Sequence, residues 1–381
     1  MSEAARMSEE EKVEKRTVRP VLIVSDHTIR EYSMLLQHLL SGLTDESAPA
    51  ALVCRPDCKV DSVLLPLVEV VRHPVYDLPF LGRQNLRMLA ERLEKFQPTV
   101  LHCLCESQAV LTRQLAEQLD LPYVLTVNSL PKRRSKLFIL WGRCWRIMAP
   151  VGSIAAELRR LYPRFADRIV QVNVGTFVED SSGCFWEPGG LVSIVTARAL
   201  NSAHDFESLF KAVKRLVLDG YEFLLVVMGD GPAESQVRKM LRSLGLLWIV
   251  TLVPMMEPWR AVLAAGDIYV QPQPSRAFDP LLLEAMSVGT AVAACRGGVD
   301  DLIIDGQTGV VFDPNDELSI YASLQRLFER PEFARQLARG AQQYVRENHS
   351  VSKMVSDILQ VYHDAHLWYA EQGRIQPAEA V

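Results

Sequence analysis

The sequence lacks the features of a membrane-spanning or a zinc-binding chain. No uninterrupted apolar run approaches the ~20 residues that a spanning helix needs. The seven cysteines are an odd number at irregular spacings, and neither the Cys54/Cys58 pair nor the Cys103/Cys105 pair has a matched second pair. The spacing therefore argues against zinc, and reduced cytosolic thiols are the simpler interpretation.

The two ends of the chain have no apolar core. The first 16 residues are mostly charged, so they predict a flexible arm and not a signal peptide, and residues 372–381 predict a disordered tail. The net charge of −5 gives no general reason to expect a nucleic-acid partner. These absences predict a cytoplasmic protein that is at most peripheral to the inner face of a membrane.

Apolar runs alternate with amphipathic helical segments through both halves of the 381 residues. This order predicts an α/β fold with two doubly wound, Rossmann-like domains, over residues 17–182 and 183–350, and a helix over 351–371 that crosses back. The predicted strands lie at 21–26, 50–54, 68–71, 99–104, 123–128, 147–151, 168–175, 191–197, 223–228, 248–253, 267–272 and 291–295. The loop after the first strand, residues 27–31, has no glycine, so it does not predict a glycine-rich phosphate loop.

No acidic residue occurs between Asp120 and Glu157, whereas six basic residues do. Apolar residues over 137–148 recur at helical spacing, which predicts a helix. One interpretation is a basic amphipathic helix that contacts anionic lipid or an acidic acceptor. The other is a helix packed on the sheet with its basic face in water. Ser153 is predicted to cap the next helix in either case. The basic loop Lys132–Arg134 is a further candidate for peripheral membrane contact.

Residues 276–303 have the pattern of an anion-binding strand–helix unit. Asp279 and Pro280 predict the cap and first residue of a helix, and Gly289 predicts its end. The helix carries one buried acid, Glu284, for which a ribose diol is a suitable partner. An ordinary packed helix–strand unit explains the same residues, and the pattern alone does not decide between the two.

Several ordered motifs together resemble the retaining glycosyltransferases of group 1, family 4, which have the GT-B fold. The run MGDGPAESQVRKMLRSLGLLWIVTLV is similar to that family's Gly-Asp-Gly-Pro turn, helix and strand. The run LAAGDIYVQPQPSRAFDPLLLEAMSVGTAVAACRGGVDDLIIDGQTGVVFDPND is similar to its donor-binding signature. The resemblance is strong in the second half and limited to the layout and RIVQVNVG in the first.

The resemblance implies a nucleotide-sugar donor site in the second domain, an acceptor site in the first and a cleft between them. The donor would be a uridine or guanosine diphosphate sugar. A hexosyltransferase-type enzyme would transfer the sugar with retention of configuration and would need no metal and no tightly bound cofactor. The acceptor would be a glycan or a lipid-linked acceptor of polysaccharide biosynthesis. The residues with catalytic roles would be Arg198, Arg276 and Glu284, of which Glu284 would bind the ribose hydroxyls. The donor would contact Gly229, Asp230, Gly231, Leu252, Val253, Phe278, Asp279, Pro280, Leu281 and Glu284, and the acceptor side would include His102 and Asn128.

The sequence departs from the family pattern at the implied reaction centre, which makes it a divergent member. Arg276 replaces the first of two signature glutamates, Asp279 replaces a glycine, and Asn128 stands where many members carry a histidine. The lysine expected after Arg198 is absent. Two interpretations follow: a divergent transferase in which Arg276 supplies the missing positive charge, or a catalytically silent binding subunit of a polysaccharide or glycoconjugate assembly system. For Arg276 itself, the purely structural alternative is a local ion pair with Asp279. A nucleotide-sugar epimerase is a third and less favoured alternative.

Overall fold

The computed structural model describes residues 18–375, apart from 59, 61–64, 74–81, 133–136, 138, 140–141, 182, 186–188 and 256–258. The chain divides into two compact units. Unit 1 comprises Met1–Gly175 and Val351–Val381, and unit 2 comprises Thr176–Ser350. The predicted arm at 1–16, the end of the tail from 376, and Arg133 and Arg134 of the basic loop lie outside the described residues.

Unit 1 contains a parallel sheet of seven strands in the order β3-β2-β1-β4-β5-β6-β7. Its strands are β1 Pro20–Ile23, β2 Ala50–Cys54, β3 Val68–Arg72, β4 Val100–Cys103, β5 Tyr123–Thr126, β6 Cys144–Ala149 and β7 Ile169–Gln171. Its α-helices are α1 Asp26–Glu31, α2 Ser33–Asp45, α3 Gly82–Glu94, α4 Ala109–Leu119, α5 Gly152–Leu161 and, after unit 2, α12 Val351–Ile375. Short 3₁₀ turns occupy Glu106–Gln108 and Pro163–Arg168.

Unit 2 contains a parallel sheet of six strands in the order β10-β9-β8-β11-β12-β13. Its strands are β8 Val192–Ala197, β9 Phe223–Met228, β10 Val250–Val253, β11 Ile268–Gln271, β12 Ala291–Cys295 and β13 Val310–Phe312. Its α-helices are α6 Glu207–Leu218, α7 Glu234–Leu244, α8 Trp259–Ala264, α9 Pro280–Val288, α10 Glu317–Glu329 and α11 Pro331–Asn348, with a 3₁₀ turn at Ala203–Phe206. Both units therefore have the predicted doubly wound Rossmann-like topology.

The helix α12 completes unit 1 from the far end of the chain. It packs against α2 and against strands β4, β5 and β6. Gly42 in the last turn of α2 makes this approach possible, because a Cβ at Gly42 would lie 2.3 Å from Cγ2 of Val355. A glycine that weakens an isolated helix is thus required by helix packing. The helix continues to Ile375, beyond the predicted end at residue 371.

The helix predicted over 137–148 is wrong, because residues 144–149 form β6 between β5 and β7. Within this segment, Trp145 packs on Trp368 of α12, with the ring centroids 5.0 Å apart and the ring planes tilted by 35°. The guanidinium of Arg146 lies over the Trp145 ring. The predicted cap at Ser153 is also wrong, since α5 begins at Gly152 and Ser153 is its second residue. No prediction was made for β13, α10 and α11.

Candidate functional site

The candidate site lies at the carboxyl edge of the sheet in unit 2. The strand order reverses between β8 and β11, and doubly wound sheets bind ligands at such a switch point. Arg198 directly follows β8, and its backbone packs against the Gly-Asp-Gly turn after β9. A Cβ on Gly229 would lie 2.0 Å from the carbonyl oxygen of Arg198, and one on Gly231 would lie 2.3 Å from that of Leu200. The two glycines therefore fix where Arg198 emerges from the sheet.

The helix α9 begins at this edge with the predicted cap. Oδ1 of Asp279 accepts hydrogen bonds from the backbone N–H groups of Leu281 at 3.0 Å and Leu282 at 3.2 Å. Pro280 occupies the first helical position, and Gly289 ends the helix in the left-handed region with a φ of 81°. The cap predicted from Asp279, Pro280 and Gly289 is confirmed.

The carboxylate of Asp279 occupies the place where a helix N-terminus would otherwise face an external anion. Its second oxygen, Oδ2, accepts from Nε2 of Gln271 at 2.8 Å. Burial raises the pKa of Asp279, while the hydrogen bonds from Gln271 and the backbone and the positive charge of Arg198 oppose that shift. Both oxygens are thus satisfied within the helix entrance, and Arg198 lies near enough to stabilise the charged form.

Arg198 is partly exposed and has one acidic neighbour across the turn. Its Nε lies 3.6 Å from Oδ2 of Asp205, at the outer limit of an ion pair. His204, which stands where the family lysine is expected, is directed elsewhere: its Nδ1 lies 2.9 Å from Oε2 of Glu207. Burial raises the pKa of Asp279 and the positive charge of Arg198 opposes that rise, so the Arg198 guanidinium acts at the entrance of α9.

The remaining donor-side residues cluster at the same edge of the sheet. Leu252 and Val253 end β10, and the Val253 carbonyl accepts from the Gly229 N–H at 3.0 Å. Asp230 accepts from the backbone N–H of Met255 at 2.9 Å through Oδ2. Phe278 and Leu281 are buried beside the cap. The structure thus brings the predicted donor residues of the β9 and β10 ends together.

Arg276 lies on an exposed part of the loop that precedes α9. The loop is fixed on the side of Ser275, whose carbonyl oxygen accepts from the N–H of Val299 at 2.7 Å. Gly298 is required at this crossing, because it has a φ of 78° and its Cβ would lie 2.0 Å from the same oxygen. Gly298 thus positions the loop that carries Arg276.

Glu284 is fully buried, as predicted, and protein groups bind both of its carboxylate oxygens. Oγ1 of Thr176 donates to Oε1 at 2.6 Å, and Nη1 of Arg260 donates to Oε2 at 2.7 Å. The hydroxyl of Ser287 donates to the backbone carbonyl oxygen of Glu284 at 2.8 Å and lies 3.4 Å from Oε2. Because a buried carboxylate needs a partner, Thr176 and Arg260 account for an acid in an otherwise apolar helix.

Arg260 is the site residue that sequence reasoning missed. Besides Glu284, its guanidinium binds Oε1 of Glu179 at 3.1 Å and the carbonyl oxygen of Phe177 at 2.7 Å. It therefore joins α9 to residues 176–179 at the start of unit 2. A buried acid needs a cation, and Arg260 is the basic residue of the short helix α8. The sequence thus indicated that Glu284 needs a basic partner, but it did not show that Arg260 lies within reach of Glu284.

We expect Arg260→Met to destabilise unit 2 by about 3–5 kcal/mol, because it leaves the buried Glu284 carboxylate without its cation. Glu284→Gln should cost less, since Arg260 retains Glu179 and the Phe177 carbonyl. The double variant should cost less than the sum, measured by urea unfolding. Arg238→Met, which breaks an exposed pair with Glu234, should cost at most about 1 kcal/mol. Additive effects would contradict a coupled buried pair.

In unit 1 the structure places His102 and Asn128 on one cavity at the carboxyl edge of the sheet. His102 is fully buried in β4, with Nδ1 2.6 Å from the hydroxyl of Tyr362 and Nε2 2.7 Å from Oγ1 of Thr126. Asn128 is partly exposed and donates to the Leu104 carbonyl at 2.9 Å. Both ring nitrogens of His102 are thus used within unit 1, which is typical of a packed histidine.

Burial lowers the pKa of His102 to about 3, so the folded protein holds it neutral while the unfolded chain binds a proton below about pH 6.5. Stability should therefore fall as the pH drops below 6.5, by roughly 2 kcal/mol at pH 5 from this residue. His102→Gln should remove that part of the difference between urea unfolding at pH 7 and pH 5. His27→Gln, at an exposed position, should leave it unchanged. An equal pH dependence in all three proteins would contradict this assignment.

Two family profiles match the chain, one in each unit. "Glycosyl transferases group 1" matches residues 192–330, and "Glycosyltransferase Family 4" matches residues 35–176.

Among the described residues, no group of three or more His, Cys, Asp or Glu side chains is arranged to hold a metal ion. The helices of the described part include none that is long and apolar enough to cross a membrane.

Curated relatives are similar over part of their length. A D-inositol 3-phosphate glycosyltransferase of Acidothermus cellulolyticus is 32% identical over 152 residues, which is 38% of this chain and 33% of that protein. An alpha-D-kanosaminyltransferase of Streptomyces kanamyceticus is 27% identical over 161 residues, or 42% of each chain. The matched region therefore spans less than half of these relatives.

Solved structures share the fold over nearly the whole chain. A glycosyltransferase from Rickettsia africae superposes with a TM-score of 0.77 at 15% identity, covering 92% of this chain and 99% of that one. Anabaena Alr3699/HepE, solved in complex with UDP and glucose, gives 0.76 at 12% identity, covering 91% and 99%. Two doubly wound units with this topology define the GT-B class. The chain belongs to the group 1, family 4 glycosyltransferases.

Proposed function

We propose that this protein transfers a hexosyl residue from a nucleoside diphosphate sugar to an acceptor hydroxyl, with retention of configuration and without a metal. The observation that carries the proposal is Arg198 beside the N-terminus of α9 at the switch point of unit 2. The UDP and glucose named for Anabaena Alr3699/HepE support a donor of this chemistry. A glycan or lipid-linked glycan is the proposed acceptor, on the side of His102 and Asn128 in unit 1.

The leaving diphosphate requires positive charge that is in place before the sugar departs. Arg198 supplies a fixed cation, and the nine-residue helix α9 supplies the positive end of its dipole. We assign the base to the edge formed by Leu252 and Val253. The exposed Arg276 adds a second cation on the phosphate side, in place of the lysine that the family pattern leads one to expect.

We assign Glu284 to the ribose hydroxyls on the family pattern, with one condition that the geometry adds. Both carboxylate oxygens already accept hydrogen bonds from Thr176 and Arg260. The ribose must therefore share those oxygens or replace one of the two donors. Arg260 acts through Glu284 as a positioning residue, because it holds the carboxylate in one orientation.

Calorimetry with a panel of uridine, guanosine and adenosine diphosphates tests the donor site. We expect one diphosphate to bind at micromolar to millimolar concentration and Arg198→Ala to weaken it. Arg238→Ala, on the outer face of α7, is the matched control. Failure of every nucleotide to bind would overturn the transferase proposal.

A catalytically silent binding subunit is the second candidate, and Asp279 is the observation that favours it. Its carboxylate takes the Leu281 and Leu282 N–H groups and brings negative charge to the proposed phosphate site. Slow hydrolysis of the bound nucleotide sugar to free sugar would identify an active enzyme even without the acceptor. Tight binding with no hydrolysis and no transfer to glycan acceptors would identify the silent subunit.

Asp279→Asn should tighten diphosphate binding by about fivefold, the factor that corresponds to ~1 kcal/mol of removed repulsion. Asparagine caps helices as well as aspartate, so the fold should be retained. Asp316→Asn is a closely matched control, because Asp316 caps α10 through hydrogen bonds of 2.9 and 3.1 Å to Leu318 and Ser319. Calorimetry with the diphosphate and with the nucleoside measures both. Unchanged diphosphate affinity in Asp279→Asn would show that the phosphates bind elsewhere.

Arg276→Ala should weaken diphosphate binding by about tenfold and leave nucleoside binding unchanged, because the proposed role of its charge is to bind phosphate and a nucleoside has none. The same calorimetric pair, UDP against uridine or GDP against guanosine, separates the two effects. Arg238→Ala again serves as the exposed arginine control. Equal losses for the diphosphate and the nucleoside would assign Arg276 to the structure of the loop.

A further inference from the structure

A cavity of about 80 Å³ lies inside unit 1 at the carboxyl ends of β4, β5 and β6. Helix α2 forms one wall and α12 forms another. Its inner lining is mostly apolar and includes Leu35, Leu36, Leu39, Met148, Met354 and Ile358. Each of these side chains is at most 7% exposed, so the walls belong to the packed core of the unit.

The polar groups of the cavity are at its opening or already paired. Asn128 and Asn173, which are partly exposed, mark the opening together with Val174. His102 lines the cavity, but its ring nitrogens are bound to Tyr362 and Thr126. A polar group that entered deeply would therefore meet thioether and hydrocarbon surfaces, with an uncompensated cost of desolvation.

The volume sets the size of the occupant. A void of this size holds roughly five water-sized groups, yet an apolar void of this kind holds water poorly. A chain of about five carbon atoms fills the same space and gains burial of apolar surface. A pocket with an apolar interior and a few polar groups at one end orients a ligand that is polar at one end only.

We propose that this cavity binds the aliphatic or aromatic end of the acceptor and leaves the acceptor hydroxyl at the opening, near Asn128. The acceptor class is thus an alcohol or glycoside with an apolar substituent of about five carbons, as opposed to a free hydrophilic sugar. The assignment of the cavity as an acceptor site rests on the proposed transferase function. The cavity itself is tested without any transfer reaction.

The test uses the full chain labelled with ¹³C at the methionine methyl groups. Met148 and Met354 line the cavity, and Met228, buried in unit 2, is an internal reference. Titration with 1-pentanol should shift the Met148 and Met354 methyl resonances, saturating in the millimolar range expected for so small a ligand. The matched probe 1,5-pentanediol has the same length, and its second hydroxyl should reduce its affinity at least tenfold.

Two valine variants test the location. Val174 lines the opening, whereas Val170 packs on the same core and does not line the cavity. Val174→Phe should abolish the response to 1-pentanol, and Val170→Phe should retain it. Dispersed methionine methyl signals in each variant show that the unit is folded. If Val174→Phe does not fold, Val174→Leu should weaken the response at least threefold and takes its place.

The proposal is overturned if 1-pentanol leaves both methyl resonances unmoved, if the diol moves them equally, or if the Val174 variant responds like the wild type. Nucleotide calorimetry on the same samples separates the two claims. Nucleotide binding without a 1-pentanol response overturns the cavity assignment alone. A 1-pentanol response without binding of any nucleotide diphosphate overturns the transferase proposal and with it the acceptor assignment.

Discussion

The burial of one carboxylate organises the candidate donor side of this protein. Glu284 lies in a helix whose nine residues are all buried, and such a helix tolerates an ionised acid only with a cation and hydrogen-bond donors in contact. Arg260 and Thr176 provide them, and Arg260 also binds Glu179 and the Phe177 carbonyl. The carboxylate thus fixes helix α8, helix α9 and the first residues of unit 2 to one another.

The same helix has a second acidic residue, Asp279, at its N-terminus. Asp279 places a carboxylate where an anionic ligand would approach, and it is stabilised there by backbone donors, Gln271 and the nearby Arg198. Arg198 therefore stabilises the Asp279 carboxylate within the protein and is also a cation that a bound ligand anion could contact. Arg198 and Asp279 together set the charge balance at the entrance of α9.

Much of the fold could be predicted from the sequence, because in most segments the local residue pattern favours the same element that the tertiary packing requires. β9 lies within FLLVVM, and the Asp279 cap and the Gly289 stop have their chemistry in adjacent residues. The segment 144–149 was misjudged because its partner Trp368 lies more than 200 residues away, and the need of the sheet for a strand between β5 and β7 overrode the helical period. Arg260 was missed for the same reason, since its contacts with Glu179 and Glu284 depend on how helices pack.

The return of the chain to unit 1 through α12 has a consequence for synthesis. The hydroxyl of Tyr362 binds His102 across 260 positions of sequence, and Val355 covers Gly42. A nascent chain that has already made all of unit 2 still lacks this helix, so the apolar faces of α2 and of strands β4 to β6 remain uncovered until residues 351–375 leave the ribosome. Unit 1 therefore completes its core after unit 2 can fold, although it is made first, and its open face is the surface most in need of protection during translation.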